Sequence, residues 1–141
     1  RDLIARQYAT GYRDILEIGL TRLVAARERG RDWRWTTTEV FLGFLSASPD
    51  SHVARKHGEA TARGLSTEAV DYDRMAARAM DFQSLQRTLL DWDRTLKLRR
   101  INPGTSADLT ACTLLWFFLC AEHGAARVPM PALESIEATG Q

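Results

Sequence analysis

Cysteine is nearly missing from this chain: Cys112 and Cys120 are the only two in 141 residues, and both fall in one apolar run. On a helix, positions eight apart lie about 12 Å from each other along the axis, beyond the reach of a mutual disulfide. A disulfide scaffold is therefore excluded, and free thiols in a reducing, cytoplasmic setting are expected. Proline is scarce as well, at Pro49, Pro103, Pro129 and Pro131, which leaves long stretches free for helices. Excess charge is absent, with 19 basic against 18 acidic residues and a net charge of +1. Nucleic acid is not an expected partner, and any basic site has to be local. Long hydrophobic runs are missing too. Leu109 to Ala121, the most apolar stretch, contains two threonines and is bounded by Asp108 and Glu122, whereas a membrane-spanning helix needs about 20 residues. It is expected to be a core segment, with no membrane partner. No secretory signal opens the chain, which begins at Arg1 without methionine, so it is read as a processed or partial product.

What remains is 45% hydrophobic and 26% charged, the composition of an ordinary globular domain able to bury roughly 70% of its unfolded surface. Ala, Leu and Arg recur with helical spacing rather than alternation. The expected class is all-α, a compact multi-helix bundle around a buried central helix. Ile4, Tyr8, Tyr12, Ile15, Leu20, Leu23 and Val24 predict one long amphipathic helix that stops at Gly30. Thr36 and Glu39 have capping-box spacing ahead of Val40, Phe41, Phe44 and Leu45, and Ser48-Pro49 ends that segment. Asp50-Ser51 suits the start of a polar helix from His52 towards Arg63, with Gly64 as its stop. A further helix is expected from Ser66 or Thr67 to Met80, followed by a short heptad through Phe82, Leu85, Leu89, Trp92 and Leu96. After Asn102-Pro103-Gly104, Thr105 and Asp108 again have capping-box spacing, and the apolar helix behind them is expected to be central. Residues 1–127 are read as the helical domain, and 128–141 as a lid, a linker or a disordered tail.

Two stretches carry more chemistry than packing requires. In Asp50-Ser51-His52-Val53-Ala54-Arg55-Lys56-His57-Gly58, cations and imidazoles follow a helix start. Arg supplies a planar fork, Lys a point charge and the helix start free N–H groups, which together suit phosphate; a solvated helix face is the competing reading. His52 and His57 are five apart, unlike the four-apart pair of a zinc helix. In Asn102-Pro103-Gly104-Thr105-Ser106-Ala107-Asp108-Leu109, a permissive glycine leads into an apolar helix whose first N–H groups offer an anion site. Asp108 there suits a cap, a magnesium ligand or a base. Cys120 and His123 lack a second pair for zinc. Trp33, Trp35, Trp92 and Trp116 read as core or interface anchors.

In this order and about fifty residues apart, the two stretches resemble those of the triphosphoribosyl-dephospho-CoA synthase family. The matching positions are Asp50, Ser51, His52, Arg55, Lys56 and Gly58, then Asn102, Pro103, Gly104, Ser106, Ala107, Asp108 and Leu109, within a resemblance that spans roughly Tyr8 to His123. The resemblance implies an all-helical transferase that moves the triphosphoribosyl group of ATP to the 2'-hydroxyl of dephospho-CoA and releases adenine. It implies Arg55, Lys56, Asn102, Gly104, Thr105 and Ser106 as phosphate and substrate residues. Asp50 and Asp108 become magnesium ligands or bases, and His52 an alternative base. Members are about twice as long, so an N-terminal half or partner chain is expected to complete the unit. Thr105 stands where the family has a second glycine, and His52 where it often has Asn. These departures keep open a ribosyl or phosphoribosyl transfer in tetrahydromethanopterin-type cofactor synthesis. A non-catalytic helical subunit docking through Phe82 to Leu96 is the reading from a different class.

Overall fold

The computed structural model describes residues 2–122, which form seven α-helices and one π-helical turn with no strand among them. In chain order these are α1 (Leu3–Ala9), the π turn (Ile15–Leu20), α2 (Thr21–Glu28), α3 (Trp33–Ala47), α4 (Ser51–His57), α5 (Glu59–Arg78), α6 (Phe82–Leu98) and α7 (Gly104–Glu122). The all-α bundle expected from helical periodicity is the fold observed. The expected tail at 128–141, and His123, lie outside the described residues.

Local backbone chemistry explains where the elements differ from the sequence reading. The first helix is broken, because Gly11 and Tyr12 both take left-handed conformations (φ 63° and 62°) between α1 and the π turn. Asp32, not Thr36, caps α3 by accepting the Trp35 N–H at 2.9 Å. Thr36 and Glu39 lie buried inside that helix, so their spacing marks no helix start. Gly58, at φ 88°, ends α4 after two turns and opens α5, a conformation costly for a residue with a Cβ. Gly64 therefore ends nothing. Ser66 starts nothing either: it sits mid-helix and donates to the carbonyls of Leu45 and Ser46, pinning α5 onto the end of α3. Asp81 caps α6 by accepting the Ser84 N–H at 2.7 Å.

The central buried helix is α3. Its two faces feed two apolar clusters: Trp35, Leu42 and Leu45 pack with Leu65, Leu85 and Trp92, while Val40 and Phe44 pack with Ile15, Leu23 and Leu109. The helix expected to be central, α7, is only half enclosed. Thr105, Ser106, Leu109, Thr110 and Thr113 are buried, yet Leu115, Trp116, Phe118 and Leu119 are exposed. The reason is a shortage of covering apolar faces, since α3 and the π turn shield only its first half and the Phe82–Leu96 face of α6 serves the other cluster. Gly104–Ala121 is also longer than its apolar run suggests, and is long and apolar enough, by length and composition only, to span a membrane. Its first turn is instead tied by polar bonds to α4.

Candidate functional site

The two unusual stretches meet. Asp50 precedes α4 in an extended conformation, and its Oδ1 accepts the N–H groups of His52 (2.9 Å) and Val53 (3.1 Å). Its Oδ2 reaches 56 residues along the chain and accepts both the N–H and the hydroxyl of Ser106, each at 2.8 Å. One carboxylate, fully buried, thus caps two helices. Beside it, Thr105 Oγ1 accepts the His52 N–H (3.2 Å) and shares a hydrogen bond with Ser51 Oγ (3.0 Å), which accepts the Leu3 N–H (3.3 Å). The Thr105–Asp108 capping box does not form, because Asp50 already takes the donors at the start of α7.

His52 and the cations face outward from this junction. The His52 ring packs on Gly104, where a Cβ would lie 3.5 Å from its Cγ. Arg55 Nη2 lies 3.2 Å from His52 Nδ1. A guanidinium only donates, so Nδ1 accepts and the ring proton of the neutral imidazole sits on Nε2. Neither Arg55 nor Lys56 is paired with a carboxylate among the described residues, and both are exposed. Arg55 lines a polar hollow of about 240 Å³ together with Asp2, Ser51, Ala54 and Glu59. The Nε2 of His57 is buried without a hydrogen-bond partner.

Asn102 and Asp108 bracket the junction. The Asn102 carbonyl accepts the Gly104 N–H at 2.9 Å, which tightens the turn, and its side chain makes no hydrogen bond among the described residues. Asp108 is exposed and unpaired, one helical turn after Gly104 and hence on the face that meets His52. The pair Asp50–Asp108 does not fit a magnesium site. Both oxygens of Asp50 are spent on two donors each in a fully buried position, whereas Asp108 faces solvent. Among the described residues no group of three His, Cys, Asp or Glu side chains gathers around a common point.

A groove of about 690 Å³ runs beside the junction between α3, α6 and the turn into α7, and Asn102, Pro103 and Ala107 line its near end. The sequence gave a weak signal for it, since Phe41 and Leu89 read simply as members of core stripes. The tryptophans divide as anchors do. Trp35 and Trp92 are buried, with Trp92 stacked on Tyr72 at 4.1 Å, whereas Trp116 joins Tyr8 and Tyr12, and Trp33 joins Phe118, in two partly exposed aromatic groups on different sides of α7.

Fold and junction together define an all-α protein that builds a polar centre from the paired starts of two helices. Over residues 1–127 the chain matches the family model of ATP:dephospho-CoA triphosphoribosyl transferases, and it belongs to that family. No curated protein and no solved structure matches it significantly.

Proposed function

We propose that this chain carries the triphosphate-binding and acceptor-activating part of a transferase that moves the triphosphoribosyl group of ATP to the 2'-hydroxyl of dephospho-CoA. The observation that carries this reading is the meeting of the two stretches at Asp50 and Ser106, with Arg55 and Lys56 left uncompensated beside them. Two exposed cations without carboxylate partners suit a polyanion, whereas the helix starts themselves are already taken by Asp50. In this reading Arg55 and Lys56 hold the triphosphate. Asp108 faces C1' of the ribose, where positive charge develops as the bond to adenine breaks. The acceptor 2'-oxygen attacks C1' as the bond to adenine breaks; the acceptor's proton passes to Asp108, and the departing adenine nitrogen takes a proton from water. His52 donates from Nε2 in the ligand-free arrangement; once Arg55 turns to phosphate, Nδ1 is released to accept a proton.

Replacing both Arg55 and Lys56 by Ala is expected to weaken ATP binding about a hundredfold or more, from about 1.5–3 kcal/mol for each charged hydrogen bond, with an unchanged melting temperature. Calorimetric titration decides it, and unchanged affinity returns the segment to a solvated helix face. The reading includes a second contributor, an N-terminal half or partner chain seated on the exposed face of Tyr8, Tyr12 and Trp116. Mixing the two parts is expected to restore adenine release, and full activity from the 141 residues alone would remove that contributor. The departures at His52 and Thr105 favour a second acceptor class, the one-carbon cofactor precursors. Adenine release with such an acceptor but not with dephospho-CoA would select it. The non-catalytic docking reading keeps only part of its surface, because Leu85, Trp92 and Leu96 of the heptad face are buried in the chain's own core while Phe82 and Leu89 stay partly exposed.

A further inference from the structure

We infer that the groove beside the junction seats the pantetheine arm of the acceptor, an extended apolar chain interrupted by amides; the identity of the arm rests on the transferase reading above. At about 690 Å³ the groove falls within the roughly 300–1,000 Å³ of small-molecule sites. Its floor is mainly aliphatic, with Leu42, Leu89, Leu96 and Ile101. Two amide side chains, Gln86 and Asn102, line it and make no hydrogen bond among the described residues. An apolar trough rimmed by two solvent-facing amides complements a chain that is itself apolar with amide groups.

A planar base suits the groove less well, because two of its three lining aromatic rings, Phe82 and Trp92, are engaged. Trp92 lies against Tyr72 at 4.1 Å and an interplanar angle of 17°, and Phe82 packs on Trp35 at 5.8 Å with the Arg34 guanidinium 5.4 Å from its centre. A partner helix is disfavoured by the Asp93–Lys97 ion pair (2.5 Å) in the lining, which such a helix would strip of water. Placement favours the acceptor. Pro103 and Ala107 line the groove, while Gly104, and Asp108 one turn later, belong to the adjoining face of α7 that meets His52. The acceptor's ribose and pyrophosphate lie between the reacting 2'-hydroxyl and the arm, so the arm would leave the junction at Asn102 and Pro103 and run along the groove toward Gln86 and Leu90.

The test is amide NMR of the full isotope-labelled chain with pantetheine as probe, and separately with ATP. Pantetheine is expected to shift amides between Gln86 and Asn102 and near Phe41, and to spare Arg55 and Lys56. Leu90, exposed in the groove lining, supplies the variant: Leu90→Glu is expected to lower pantetheine affinity about tenfold, the loss of one apolar contact, with ATP affinity unchanged. No pantetheine shift at millimolar concentration, equal binding by Leu90→Glu, or groove shifts evoked only by an added protein half would each overturn the inference. ATP binding intact without pantetheine shifts fails the groove alone. Pantetheine seated in the groove while ATP ignores Arg55 and Lys56 fails the triphosphate assignment and keeps the groove.

Discussion

The junction under the site and the rim above it come from the same two sequence stretches, yet they differ in every physical respect. Asp50, Ser51, Thr105 and Ser106 are buried, and each is hydrogen-bonded to another part of the chain. Arg55, Lys56, Asn102 and Asp108 are exposed, and their charges or amides are left without carboxylate or backbone partners. Proximity to a motif therefore does not make a residue chemical. The saturated half fixes the relative position of α4 and α7, and the unsaturated half keeps capacity for a ligand. A buried group with every lone pair occupied has nothing left to give a substrate, whereas the free groups add almost nothing to stability.

Substitutions at Asp50 test the contrast hardest. Asp50→Ala strands four donors, three of them helix-start amides, and is expected to cost about 3–5 kcal/mol, read as a fall in the urea midpoint. A variant within 1 kcal/mol of the parent would break the comparison. Asp108→Asn is the converse. Turnover is expected to fall about a hundredfold, about 2.7 kcal/mol in the barrier, with folding stability changed by less than about 0.5 kcal/mol. Full adenine release by that variant would take Asp108 out of the chemistry. Thr105→Val removes one shared acceptor and one hydroxyl from the junction, and a loss of about 1–2 kcal/mol is expected with ATP affinity retained.

The smallest effect sharpens the comparison with a buried carboxylate of the other kind. Glu39 on α3 is buried beside Arg29 and Arg31, but its Oε1 makes no hydrogen bond. Burial raises its pKa, against the lowering effect of the two arginines. A raised folded pKa contributes stability below the ordinary carboxylate value and loses it as pH rises through the shifted one. The helix caps Asp32 and Asp81 have the opposite sign. Backbone hydrogen bonds from Trp35 and Ser84 lower their pKa, so their contribution is present above the ordinary value and disappears as pH falls. Glu39→Gln is expected to flatten the decline in stability as pH rises above the ordinary carboxylate value and to leave the acid limb unchanged. An unaltered upper limb would mean that the arginines outweigh burial.

Much of the fold was legible because helix periodicity and N-caps are local. Asp50 as a helix start, the stop at Ser48-Pro49 and the break before Gly104 follow from residues within a few positions of one another. The misread starts at Thr36, Ser66 and Thr105 share a cause. Each has the right residue for a cap, but tertiary structure decided otherwise: Asp32 lay four residues earlier, Ser66 found the carbonyls of α3, and Asp50 arrived from another helix. The meeting of the two stretches was not readable from spacing; only the family resemblance placed them together. Whether a cation is left unpaired also depends on which carboxylates the fold brings near, so the free state of Arg55 and Lys56 was invisible in the sequence.

The single carboxylate shared by α4 and α7 also sets when the site comes into being. Its bond to Ser106 closes a span of 56 residues, so it forms only after α5 and α6, which lie within that span, have folded back, and loop closure opposes it until then. The Ser106 amide should therefore exchange its hydrogen for deuterium only through the largest opening of the molecule, while the amides near Lys56 exchange through local fraying. No partially folded form with α7 undocked would possess the centre, and ligand binding there would serve as a direct count of completely folded chains.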